Sequence, residues 1–195
     1  MRQVEISEVV DIAQYERIRA DFRAKVLAAK ESRRIGVGPN FMFLFENRLT
    51  VLYQVQEMMR TERIVEEKAI AHEVHTYNEL IPPSGDLGAT LLVEFTEPDE
   101  RARRLNELVG IENHVHIQVG DLPRISGRFD TRQMNDEKIS SVQYVHFPLE
   151  QNHRDAWEAE AAKGQVRVVV DHPTYRHEQP LTAQQAAALA EDFLA

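Results

Sequence analysis

The chain of 195 residues contains no cysteine. This absence excludes disulfide bonds, thiol catalysis, cysteine-based zinc sites and cysteine-ligated iron–sulfur clusters. The sequence also lacks any apolar run near the roughly 20 residues that a membrane-spanning helix needs, and no charged-then-apolar leader opens it. We therefore expect a cytoplasmic protein that has no membrane partner.

Basic residues are scarce relative to acidic ones. The chain has 32 Asp and Glu against 23 Lys and Arg, a formal net charge of −9, so the molecule as a whole repels nucleic acids and anionic membranes. The basic residues are concentrated between Arg17 and Arg34. On an acidic protein such a stripe is typical of a solvated helix face or a protein contact, and we expect no nucleic-acid partner.

The first half of the sequence has mostly helical periodicity. A long amphipathic helix begins at an Asp11 cap and runs to about Arg34, Asn47 caps a second helix, and a third spans about residues 66–81 before a double proline. Between the first two helices, Phe41–Phe45 is apolar on both faces and predicts a buried strand after a tight hairpin.

The second half alternates strands with short turns. The strands are "ATLLVEF", "HVHIQVGD", "ISSVQYVHF" and "QVRVVVD", accompanied by a helix around Trp157 and a last helix capped by Thr182. Short connections favour antiparallel pairing. The sequence therefore predicts an α+β fold, in which a helical N-terminal half packs against a mainly antiparallel sheet with flanking helices.

The predicted domain organisation is one compact domain over residues 1–195. Only "IPPSGDLG" has the composition of a boundary, and it places a subdomain division near 82–88. Residues 1–83 would then be mostly helical, and residues 88–195 would be α+β.

The stretch "AIAHEVHTYNELIPP" raises the question of a metal site. At about 100° per residue, His72, His75 and Glu79 share one helix face, nearly opposite the apolar face that carries Ile70 and Val74. A divalent iron, manganese or zinc ion accepts two histidines and a carboxylate, provided that further ligands come from elsewhere. The alternative, which we favour, is a solvated or subunit-facing surface.

Two further stretches contain candidate site residues. His114 and His116 leave one face of a predicted strand, which is either a metal arrangement or a polar strand face. In "VVVDHPTYRHEQP", Asp171, His172 and Tyr175 follow a buried strand and enter a proline-bounded loop, a position typical of catalytic residues. They are the best catalytic candidates, and His172 joins His72 and Glu79 as a metal candidate.

The "DHPTY" residues also have a structural interpretation. Asp171 and His172 point to opposite sides if the strand continues, and they form a dyad only if the chain bends at Pro173. In the structural interpretation, Asp171 and Tyr175 make ordinary turn and capping hydrogen bonds. No signature of a dinucleotide-binding loop, a P-loop, a nucleophile elbow or a His-Glu-x-x-His helix is present, so no named reaction is indicated.

The helix after Asn47 carries a polar seam. Gln56, Glu57, Arg60 and Arg63 lie beside a narrow apolar stripe. These residues either form pairs on a solvated helix, such as Gln56 with Arg60, or are buried against a protein partner or in a homodimer.

Three stretches carry a resemblance to a known family. "VGPNFMFLFENRLTVLYQVQEMMRTERI", "YNELIP" and "VDHPTYRHEQPL" resemble a bacterial family of uncharacterised proteins, domain-of-unknown-function family 3501, almost from end to end. The resemblance implies a redox or oxidative-stress setting, near rubrerythrin-like and iron–sulfur proteins. It marks His75 and His116 as departures from the family, which weakens the two-histidine metal sites. The residues that match the family pattern are His72, Tyr77, Asn78, Glu79, Asp171, His172, Pro173 and Tyr175.

We therefore expect a non-catalytic binding or accessory protein in a redox or oxidative-stress setting, which associates with a protein partner or with itself through its helical half. The first alternative is a protein that binds iron, manganese or zinc, or an enzyme, using the His/Glu clusters. The second alternative is a small-ligand binder that uses the apolar hairpin at Phe41–Phe45.

Overall fold

A computed structural model describes residues 2–82, 85–130 and 138–193 of the chain. These residues form six α-helices and two antiparallel sheets, which confirms the α+β class. None of the described helices has the length and apolar character to cross a membrane. The helices are α1 (Ile12–Glu31), α2 (Arg48–Glu62), α3 (Glu67–Asn78), α4 (Pro98–Glu107), α5 (Gln151–Ala162) and α6 (Ala183–Ala190).

The caps predicted from the sequence start three of these helices. The Asp11 side chain accepts a hydrogen bond from the Gln14 N–H at 2.8 Å, and Asn47 accepts one from the Thr50 N–H at 3.0 Å. Thr182 does the same at the start of α6. Each cap satisfies an N–H group that the first helical turn leaves without a partner.

Five strands form the first sheet in the order β1-β2-β3-β7-β6. The strands are β1 (Arg34–Val37), β2 (Phe41–Glu46), β3 (Leu87–Val93), β6 (Arg128–Phe129) and β7 (Val142–Phe147). Phe41, Phe43 and Phe45 are fully buried in the main core. These three aromatic side chains are therefore part of the core, and a ligand site on the hairpin stays a prediction.

Four strands form the second sheet in the order β5-β4-β8-β9. The strands are β4 (Val115–Val119), β5 (Ile125–Ser126), β8 (Val166–His172) and β9 (Tyr175–Pro180). Alternate residues of β4 and β8 join Trp157 of α5 and Leu189 of α6 in the same core as the first sheet. A separate apolar cluster, which includes Val51, Val55 and Val74, packs α2 and α3 together.

One feature differs from the sequence-based expectation. The segment after His172, expected to be a loop, turns at Pro173 and returns as β9, pairing with β8 from His172 opposite Tyr175. Proline has no N–H, and at the turn of a hairpin no hydrogen bond between the strands is lost by its absence. The first sheet joins strands from both sides of the possible subdomain boundary near 82–88, because β2 pairs with β3, and the division itself stays a prediction. Pro83 and Ser84 lie outside the described residues.

Candidate functional site

The predicted metal ligands are not brought together. His72 is exposed on α3, and Glu79 ends the same helix, beside the first sheet. His172 is buried at the end of β8 in the second sheet. Within residues 2–82, 85–130 and 138–193, no three His, Asp or Glu side chains are grouped so that they could hold a metal ion. The structure therefore does not support a metal site at His72, Glu79 and His172, because the helix and the strand that carry them belong to different parts of the fold.

His114 and His116 meet Asp171 on the outer face of the second sheet. The Asp171 Oδ1 atom lies 3.0 Å from His114 Nδ1 and 3.5 Å from His116 Nε2, and its Oδ2 accepts from Arg124 at 2.6 Å. Burial by itself raises the pKa of Asp171, but the His114 hydrogen bond and the charges of His116 and Arg124 lower it on balance. Asp171 is therefore a charged anchor that links β4, β8 and the segment before β5.

Asp171 and His172 do not form a dyad, because β8 continues through both residues and places them on opposite faces. The His172 Nε2–H donates to the Val109 carbonyl at 3.2 Å, and its Nδ1 accepts from the Thr174 N–H at 3.3 Å. Both ring nitrogens of neutral His172 therefore form hydrogen bonds with backbone groups. These contacts give His172 a structural role, and its catalytic role stays a prediction.

The neutral state of His172 in the folded chain makes the stability of the protein depend on pH. Burial lowers its pKa from the ordinary 6.5, and burial also lowers that of His116. As the pH falls through 6.5, the unfolded chain takes up a proton that the folded chain resists, so the free energy of unfolding decreases. We expect the melting temperature to fall between pH 7 and pH 5, and to fall less in His172→Gln. The melting temperature of the double variant His172→Gln with His116→Gln should depend on pH even less. Equal pH slopes in all three proteins would contradict this role.

Tyr175, the third catalytic candidate, contacts the β1–β2 turn. Its buried hydroxyl donates to the Val37 carbonyl at 2.7 Å and accepts from the Asn40 N–H at 3.0 Å. Its ring stacks on Phe41 with centroids 4.0 Å apart. These contacts join the "VGPNF" and "DHPTY" stretches in the structure and give the hydroxyl one donated and one accepted hydrogen bond.

Three of the four residues of the polar seam on α2 are engaged within the chain. The buried Gln56 side chain bonds both backbone groups of Val10. Glu57 accepts two bonds from Arg19, and Arg60 donates to Glu16. Arg63 ends α2 in the left-handed conformation, at φ 56°. These contacts fasten α1 and the N-terminal segment to α2, and the partner or homodimer interface stays a prediction.

The candidate site is a cleft of about 710 Å³ between the C-terminal half of α3 and the β6–β7 edge of the first sheet, termed here the α3–β7 cleft. One wall is formed by side chains at the i, i+3, i+4, i+7 spacing of a single helix face, on α3 and the turn after it. They are Glu73, Thr76, Tyr77 and Leu80. This wall therefore includes Tyr77 but not His72.

Strand register determines which side chains line the opposite side of the α3–β7 cleft. Arg128 pairs with His146, and the Asp130 N–H donates to the Tyr144 carbonyl at 3.1 Å. Because residues directly opposite in antiparallel strands share a face, these four side chains project to the same side of the sheet. Glu79 and Phe129 complete the lining. Phe129 pairs with Val145, and its ring packs against the main core on the other face of the sheet.

The lining of the α3–β7 cleft combines aromatic rings with charged groups. Tyr77 and Tyr144 are partly buried, and the charged groups among the described lining residues are Glu73, Glu79, Asp130 and Arg128. Burial and then the Glu73 charge raise the pKa of Tyr77, so this phenol stays neutral at pH 7. The His146 Nε2–H donates to the Glu79 carbonyl at 3.1 Å and joins β7 to the end of α3.

The sequence reasoning singled out only two residues of this cleft for a role, Tyr77 and Glu79. It missed Arg128, Tyr144 and His146 because strand register, rather than motif, places them beside α3. One signal was available: in "SSVQYVHF" the positions of Tyr144 and His146 alternate with the buried Val145 and Phe147.

Comparisons with known proteins were made for the whole chain. A family model described as "Protein of unknown function (DUF3501)" matches residues 3–193. A crystal structure of a novel protein of unknown function from Burkholderia pseudomallei K96243 is 30% identical, with a TM-score of 0.89, and the match covers 98% of this chain and 100% of that one. No curated protein matches the sequence.

Proposed function

The chain belongs to the DUF3501 family of proteins of unknown function. We propose that it is a non-catalytic binding protein whose α3–β7 cleft holds a small organic ligand. The observation that carries the proposal is the cleft itself. It has a volume of about 710 Å³, within the range of small-molecule sites, and it combines aromatic rings with a few converging polar groups.

The cleft is supported by well-packed elements on both sides. Leu80 is buried in the apolar cluster of α2 and α3, against which Tyr77 and Tyr144 also pack. The His146–Glu79 bond fixes the distance between helix and sheet at the C-terminal end of α3. A site on a helix and a strand needs little ordering when a ligand binds, which favours affinity.

The proposal is confined to binding. The catalytic candidates Asp171, His172 and Tyr175 do not line the α3–β7 cleft, and the contacts of each are structural. The redox setting implied by the resemblance has no counterpart among the described side chains. Association with a protein partner is compatible with a ligand-binding role.

The proposal is tested by a fragment screen that follows the backbone amide signals of the protein by NMR. We expect hits to shift the signals of residues on both sides of the cleft, such as Thr76 and Tyr144. Thr76 is an exposed lining residue, so Thr76→Trp should fill the cleft and weaken these hits by at least about tenfold, equivalent to about 1.4 kcal/mol.

The matched control is His75→Trp. His75 is the exposed neighbour of Thr76 on α3, and it does not line the cleft. This variant should bind the hits as the parent does. A screen in which no hit shifts the lining residues, or in which Thr76→Trp and His75→Trp bind equally well, would overturn the proposal.

A further inference from the structure

A groove between α5 and α6 is a second concave surface of the molecule. It has a volume of about 640 Å³ and is termed here the α5–α6 groove. Trp157 lies beneath it, fully buried, and the indole N–H donates to the Ala186 carbonyl at 3.0 Å. The other apolar lining residues are all alanines: Ala161, Ala162, Ala183, Ala186, Ala187 and Ala190. Because alanine side chains are short, another helix can approach α5 and α6 closely and place larger side chains between them.

The charged residues that line the α5–α6 groove are both acidic. They are Glu158 of α5 and Glu191, the C-cap of α6, and both are exposed. In the described parts of the chain, neither carboxylate has an ion pair or a side-chain hydrogen bond. The two groups are therefore available to a basic partner, and their charge would steer such a partner to the groove.

The outer face of α1 has the complementary character. The inner face of this helix is buried through Tyr15 and Val26. At about 100° per residue, five exposed side chains fall within about 120° of one another on the outer face. They are Arg17, Ile18, Ala24, Lys25 and Ala28. Ile18 is 44% exposed, which is unusual for a large apolar side chain unless something covers it. Across the described residues, Arg17 and Lys25 have no ion pair, and one acid, Asp21, lies between them.

The end of α1 is joined to α6, beside the α5–α6 groove. Arg33, which follows α1, donates to the Ala188 carbonyl and to both carboxylate oxygens of Asp192. Gln185 donates to the Arg34 carbonyl at 2.9 Å. These α6 residues lie on the side of the helix opposite the groove, so α6 separates the end of α1 from the groove. Two complementary surfaces that are neighbours on one subunit can meet reciprocally about a two-fold axis.

We propose that the α5–α6 groove is the docking surface for α1 of a second copy of this chain, in a two-fold dimer in which the contact occurs twice. Ile18 packs between the alanines of the groove. The two free cations of α1 face the two free glutamates of the other copy. Because the contact is doubled, the buried area rises toward the roughly 800 Å² per subunit of a stable interface. The inference is independent of the α3–β7 cleft.

Sedimentation velocity of the full chain measures the dimer directly. At protein concentrations up to about 100 μM we expect a particle of twice the chain mass of 22.5 kDa, and added salt should weaken it by screening the charges. Ala187→Arg places a large cation in the groove and should raise the Kd of the dimer by at least about tenfold. The matched control is Ala159→Arg, on the exposed surface of α5 outside the groove, which should dimerise as the parent does.

Charge reversal identifies the occupant of the α5–α6 groove. The double variant Arg17→Glu with Lys25→Glu should raise the Kd by at least about tenfold, because like charges then meet across the interface. Adding Glu158→Arg and Glu191→Arg to it restores opposite charges. The combined variant should dimerise at least about tenfold more tightly than the double variant.

Three results would overturn the proposal. The first is a parent protein that stays monomeric at these concentrations. The second is a dimer that tolerates Ala187→Arg. The third is a dimer that Ala187→Arg disrupts but the charge reversal on α1 does not, because the groove would then bind another surface. All of the substituted side chains are exposed, so the variants should fold, and circular dichroism distinguishes loss of the dimer from loss of the fold.

Discussion

Replacing Arg33 by Met is expected to lower the free energy of unfolding by about 3–5 kcal/mol, because it leaves a buried carboxylate without its partner. Arg33 follows α1 and donates to both carboxylate oxygens of Asp192, at 2.7 and 2.8 Å, and to the Ala188 carbonyl at 2.7 Å. The two side chains are only 3% and 5% exposed. Urea denaturation at pH 7 measures the loss.

The double variant Arg33→Met with Asp192→Leu tests the cause of that loss. It removes both charges together, so it should recover most of the stability. The surface pair of Arg2 and Glu5, with side chains 66% and 58% exposed, provides the control. Arg2→Met should cost less than about 1 kcal/mol. A small loss in Arg33→Met, or no recovery in the double variant, would show that the pair is not the link between α1 and the C-terminal segment.

Replacing Gly38 by Ala is expected to cost about 2–4 kcal/mol. Gly38 has φ +67°, where a side chain costs about 1–2 kcal/mol. An added Cβ would also lie 2.6 Å from the Tyr175 hydroxyl and from the ring of His177. The Tyr175 bonds to Val37 and Asn40 would then weaken, at about 1 kcal/mol each. Thermal and urea unfolding measure the change.

Gly164→Ala is the matched control for Gly38→Ala. Gly164 has nearly the same φ, +69°, but no atom lies within 4 Å of an added Cβ. Its substitution therefore reports the backbone cost alone. We expect Gly38→Ala to be more destabilising by at least about 1 kcal/mol. Equal losses would mean that Tyr175 does not hold the hairpin.

Local signals in the sequence predicted most of the elements. Asp11, Asn47 and Thr182 mark helix starts because capping depends on residues only three positions apart. The exception was β9, whose exposed and polar residues lack the alternation of a half-buried strand. It forms because β8 offers an unpaired edge, and a partner strand is a feature that local patterning does not contain.

The candidate site was predicted only in part, for a different physical reason. Tyr77 and Glu79 belong to a recognisable motif on one helix. Tyr144 and His146 come beside them only because β7 pairs with β3 in one register, Thr90 opposite Tyr144. Such pairing depends on contacts between residues far apart in the chain, so neither spacing nor composition indicates it.

The catalytic interpretation of "DHPTY" stays a prediction, and the sequence could not decide it for a related reason. Asp, His and Tyr are also the residues that best satisfy backbone groups at a hairpin, and the structure uses His172 and Tyr175 in this way. Residue type alone does not distinguish a satisfied buried polar group from a reactive one.

The most direct test of the central claim is a crystal structure of the protein soaked with the tightest-binding ligand from the screen. The account predicts density for the ligand in the α3–β7 cleft, in contact with Tyr77 and Tyr144. Density for the ligand at another place, such as the Asp171 cluster, with the cleft empty, would contradict it.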